Sequence, residues 1–80
     1  MSGKGAVTWR DLMEACKAKG ISVEQGKGGE MKLLGPGVDG QKRLMRIGHK
    51  CCKSNNAVVY IDYVKKAKRT FGFTDADLGL

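Results

Sequence analysis

The side chains that can do chemistry are concentrated between Lys42 and Arg69. That stretch carries Lys42, Arg43, Arg46, Lys50, Lys53, Lys65, Lys66, Lys68 and Arg69 against a single acid, Asp62. It also holds the one histidine of the chain, His49. The formal charge of the whole chain is +7, so everything outside the stretch is slightly acidic. A positive face of that density suits a polyanion, and for a small domain the usual polyanion is nucleic acid. An acidic protein partner and a merely solvated basic surface are the alternatives. An imidazole can both give and take a proton, which makes His49 a candidate for proton transfer beside a phosphate.

Other chemistries find less support. His49-x-Cys51-Cys52 fits no established zinc spacing, and only the distant Cys16 could add a ligand. No metal or cofactor is therefore expected. Three cysteines cannot all pair within one chain, and vicinal ones seldom bridge, so reduced thiols are expected. Residues 35–40 spell G-x-G-x-x-G, but a basic strand follows where a dinucleotide site needs a helix, so the segment reads as a hairpin loop. Gly26-Lys27-Gly28-Gly29 lacks the Gly-Lys-Ser/Thr ending of a phosphate loop and also reads as a turn.

The elements that must position these residues follow from periodicity. Thr8, with Asp11 three residues on, predicts an N-cap for a helix over 9–19, with Leu12 and Cys16 on its apolar face and Gly20 closing it. Ile21–Gln25 and Glu30–Leu34 alternate apolar and polar and form a hairpin about the Gly26–Gly29 turn. Lys42–Ile47 is the third strand, with Met45 and Ile47 on one face and Leu44 and Arg46 on the other. Gly48–Asn55 reads as a polar loop, with Asn55 or Asn56 capping a helix over 57–71. On that helix Tyr60, Val64, Ala67 and Phe71 share the apolar face, which buries Tyr60. Trp9, Tyr60 and Tyr63 are read as core or rim residues in preference to base-stacking platforms. Lys65, Lys66, Lys68 and Arg69 fall in its last turns, and Thr74–Leu78 forms a capped terminal turn.

The order is α-β-β-β-α. Short connections make the three-stranded sheet antiparallel, and one apolar face per strand puts both helices on the same side. This α+β arrangement is that of double-stranded-RNA-binding domains, which read duplex shape through phosphate and 2′-hydroxyl contacts. Eighty residues allow one domain, expected over 8–78 after a flexible N-terminus, 1–7, without a signal-peptide hydrophobic run. No segment approaches the ~20 apolar residues that a bilayer span requires. A cytoplasmic location without membrane partners is expected.

Beyond architecture, the run Asp11-Leu12-Met13-Glu14-Ala15-Cys16-Lys17-Ala18-Lys19-Gly20-Ile21 resembles the opening helix of HicA-type mRNA interferase toxins. These are small cytosolic bacterial proteins with a double-stranded-RNA-binding-like fold. Gly28-Gly29-Glu30-Met31-Lys32-Leu33 falls where that family shows Gly-Ser-His-x-x-Phe, and Ile47-Gly48-His49 where it shows Ile-Pro-His. Phe71-Gly72-Phe73-Thr74 is similar to its closing Ala-Gly-Ile-Ser. The resemblance spans roughly residues 8–78 and rests more on element order than on identities.

The resemblance implies RNA, either mRNA or a duplex, as ligand, endoribonuclease activity, and a small acidic antitoxin-like protein as partner. The departure lies at the catalytic histidine, which is Glu30 here, with Gly29 in place of the serine. Cleavage by 2′-oxygen attack needs a base and an acid, roles that Glu30 and His49 would divide while Arg46 or Lys32 steadies the phosphate. The alternatives are a member that has lost cleavage, a non-catalytic nucleic-acid-binding module and a protein-interaction domain. The expected RNA contacts are Lys27, Lys32, Arg43, Arg46, His49, Lys50 and Lys53, with Lys65, Lys66, Lys68 and Arg69 as a second patch.

Overall fold

A computed structural model describes residues 5–80. Helix α1 runs over Trp9–Ala18 and opens on a reciprocal capping box. The Asp11 N–H donates to Thr8 Oγ1 at 3.3 Å, and the Thr8 N–H donates to Asp11 Oδ2 at 2.9 Å. The two bonds satisfy N–H groups that a helix start otherwise leaves unpaired. At the other end Gly20 takes the left-handed position, and the Ile21 N–H reaches back to the Cys16 carbonyl. Trp9, Leu12, Ala15 and Cys16 make the buried stripe.

Strands β1 (Ser22–Gln25), β2 (Met31–Pro36) and β3 (Lys42–Ile47) form one antiparallel sheet in the order β1-β2-β3. Leu33 sits opposite Val23 and Met45, while Lys32 sits opposite Glu24 and Arg46. Leu33, Met45 and Ile47 are fully buried, and the alternation leaves Lys32, Leu44 and Arg46 on the open face. Helix α3 (Ile61–Phe71) contributes Val64, Ala67 and Phe71 to the same core as α1. Both helices thus cover one face of the sheet, the α-β-β-β-α arrangement that the sequence predicts. Truncating a fully buried side chain such as Leu12 costs about 2–5 kcal/mol in a core of this kind.

The chain departs from the expected elements in three places. Residues 49–52, expected as loop, form a one-turn helix, α2 (His49–Cys52), anchored by the fully buried Cys51. A thiol acting as a small hydrophobe supplies the apolar contact that this polar stretch otherwise lacks. Residues 57–60, expected as the start of the last helix, are extended instead. Val58 bridges Thr8, the Trp9 N–H donates to the Ala57 carbonyl, and the Val59 N–H donates to the Val7 carbonyl. The β-branched pair Val58-Val59 favours this short ribbon over a helix. Consequently α3 begins at Ile61 with Tyr60 as its N-cap, and neither Asn55 nor Asn56 caps it. Tyr60 is not buried on a helix face; it is 53% exposed. Third, Gly35 and Pro36 belong to β2, paired with Arg43 and Lys42, so the second turn is shorter than the glycine spacing suggests.

Of the expected flexible lead-in, residues 1–4 lie outside the described residues. Val7 is buried and hydrogen-bonded. At the other end the Thr74 N–H donates to the Asp77 carboxylate and the Asp77 N–H to the Thr74 hydroxyl, seating Leu78 in the core. Cys16, Cys51 and Cys52 are free thiols. Burial pushes Cys16 up to about 12. Among the described residues no helix is long and apolar enough to cross a membrane.

Candidate nucleic-acid interface

The β1–β2 turn, the end of β3 and α2 converge at one end of the sheet. The turn is a single 3-10 winding over Lys27–Gly29, closed by the Gly26 N–H donating to the Glu30 carbonyl at 2.7 Å. Two of its glycines have side chains of other residues in the space a Cβ would take. A Cβ on Gly26 would lie 2.7 Å from Glu30 Cγ, and one on Gly29 would lie 2.5 Å from His49 Nδ1. The Glu30 side chain therefore folds back over Gly26, while the His49 ring lies against Gly29 with Nδ1 nearest, and the Gly29 φ of +84° also disfavours a side chain. The serine that the resemblance would put at 29 has no room here.

Glu30 and His49, 19 residues apart in sequence, thus lie against two glycines of one turn, Gly26 and Gly29. Arg46 joins them from β3, its Nε 3.9 Å from Glu30 Oε1, with the Glu30 side chain one-third exposed and Arg46 about two-thirds exposed. Lys32 lies beside Arg46 across the sheet, and Glu24 completes that row on β1. Lys27 is exposed on the turn, and Lys50 and Lys53 are exposed on and after α2.

Backbone contacts hold α2 against the turn. The Cys52 thiol lies 3.3 Å from the carbonyls of both Gly29 and Gly48, donating to either. Burial raises its pKa, which keeps it a donor. The Gly48 N–H donates to the Tyr63 hydroxyl at 3.2 Å, and the Tyr60 N–H donates to Cys51 Sγ at 3.4 Å. His49 is therefore carried on a turn fixed from both the sheet and α3.

The remaining expected contacts lie elsewhere. Arg43 sits at the opposite end of the sheet, hydrogen-bonded to Asp39 in the β2–β3 turn. That bond and the Gln41 N–H hold the Asp39 carboxyl below its ordinary range. Lys68 pairs with Asp75. Lys65, Lys66 and Arg69 are exposed along the outer ridge of α3, on the side of the molecule away from the open sheet face, and share that ridge with Asp62. The basic stretch is thus divided among the turn end, the α3 ridge and acid-paired positions. A surface depression of about 450 Å³ lies between α1 and β1 around Met13, Ile21 and Val23, away from this cluster. A phosphate backbone is met on open ridges, so that hollow carries no weight here.

Sequence reasoning placed Tyr60 on a buried helix face and Tyr63 in the core or at its rim, and gave Cys52 no part beside the turn. A signal was available in the β-branched run before Tyr60, which ends the ribbon there and frees the ring. Comparison of the chain with known protein families, curated proteins and solved structures finds no match.

Proposed function

We propose that this chain is an RNA-binding protein of HicA-like type whose contact surface is the turn end of the sheet, and that Glu30 and His49 act there on the phosphodiester. The observation that supports the reading is that one turn carries the Glu30 carboxylate over Gly26, with the Arg46 guanidinium beside it, and the His49 imidazole against Gly29. In this reading Glu30, with the Arg46 guanidinium beside it, takes the proton of a ribose 2′-hydroxyl. The 2′-oxygen attacks the adjacent phosphorus, the P–O5′ bond breaks, and the imidazolium of His49 gives its proton to the leaving 5′-oxygen. Arg46 then faces the charge that builds on the phosphoryl oxygens, helped by Lys32 across the sheet. The exposed Lys27, Lys50 and Lys53 supply phosphate contacts to either side. The HicA resemblance supports an acidic antitoxin-like protein as the partner that would cover this surface.

Single-turnover cleavage of a single-stranded oligoribonucleotide tests the chemistry. Glu30→Ala and His49→Ala should each slow it by at least about a hundredfold while leaving RNA bound. Undiminished cleavage by both variants would eliminate the pair.

A further inference from the structure

Beside this cluster the structure carries a feature that phosphate chemistry does not use. Tyr60 and Tyr63 stack with ring planes 10° apart and centroids 6.1 Å apart. The inner ring, Tyr63, is half-buried and accepts the Gly48 N–H. The outer ring, Tyr60, is 53% exposed, and its own N–H is tied to Cys51 of α2. The pair is thus bound at two points to the short segment that presents His49 and Lys50. An exposed ring set nearly parallel to a second one, on a residue tied through its own N–H, loses little freedom when a further flat group joins it.

We infer that Tyr60 is a stacking platform for an unpaired nucleobase next to the phosphodiester held by Arg46 and His49. This inference rests on the RNA reading above and narrows it to single-stranded RNA, since a base within a duplex has both faces occupied. Stacking on an aromatic ring tolerates any base, because every base offers a π-face. Cations for the flanking phosphates stand on the same segment, at Lys50 and Lys53. The neighbouring Val58 and Ile61, 54% and 64% exposed, extend the apolar rim on which a base edge can rest.

The test compares two oligoribonucleotides of one length, one fully based and one with abasic positions, against wild type, Tyr60→Ala and Tyr60→Phe. Tyr60 is exposed, so the variants should fold, and circular dichroism checks that they do. Tyr60→Ala should lose about tenfold in affinity for the based strand and nothing for the abasic strand, and Tyr60→Phe should match wild type. Equal losses on both strands, or none, would overturn the platform while leaving RNA binding standing, and no loss would reassign the ring to a protein contact. Failure of wild type to bind either strand would overturn the RNA reading itself and the platform with it.

Discussion

Arg43 and Arg46 lie three residues apart on one strand, yet the two ends of the sheet treat them differently. At the β2–β3 end Arg43 is held by Asp39, an acid four residues away on the adjoining turn. At the β1–β2 end Arg46 meets Glu30 at 3.9 Å, too far for a hydrogen bond, and stays about two-thirds exposed. The first pair is closed within its own hairpin. The second is open to a ligand and shares its surface with an imidazole and a stacked tyrosine pair. Counting basic residues therefore overstates the charge open to a polyanion, because a guanidinium already paired with a carboxylate must give up that partner to meet a phosphate.

The glycines of the two turns give the largest handle on this contrast. Gly29→Ser would put a side chain where the His49 ring lies and at a left-handed φ. It should cost about 1–3 kcal/mol of stability in a denaturant titration and weaken RNA binding. Gly40→Ser, in the opposite turn, meets open space and should show only the backbone cost of about 1–2 kcal/mol, with RNA affinity unchanged. Equal effects on RNA affinity would erase the distinction between the ends.

A smaller effect is expected at Tyr63. Tyr63→Phe removes the acceptor for the Gly48 N–H and should cost about 1 kcal/mol, together with a faster amide exchange at Gly48. Unchanged exchange would mean that α2 holds its place without that bond. Smallest of all, Asp39→Asn releases Arg43, and RNA affinity should move by less than about twofold. A large gain would show the β2–β3 end to be a latent contact surface.

Much of the framework was legible before any coordinates. Thr8 with Asp11 set the start of α1, Gly20 closed it, and alternation around Met45 and Ile47 assigned the faces of β3. Such local signals act over a few residues and survive in the fold. What was not legible depended on contacts between distant segments. The extended course of residues 57–60 comes from pairing with Val7–Trp9, some 50 residues earlier. The one-turn helix at His49 depends on burial of Cys51, which no local periodicity announces. The cluster was half readable: the residues Glu30, Arg46 and His49 could be named, but Gly29 as the seat of the imidazole and the exposure of Tyr60 needed the fold.

The division of the basic residues between the two ends can be measured directly from the salt dependence of RNA binding in two double variants. Arg46→Ala with Lys50→Ala should weaken binding and flatten the slope of log affinity against log salt by about one to two units. Arg43→Ala with Lys68→Ala, which removes cations already paired with Asp39 and Asp75, should leave both affinity and slope close to wild type. An equal loss in the second variant, or none in the first, would contradict the account.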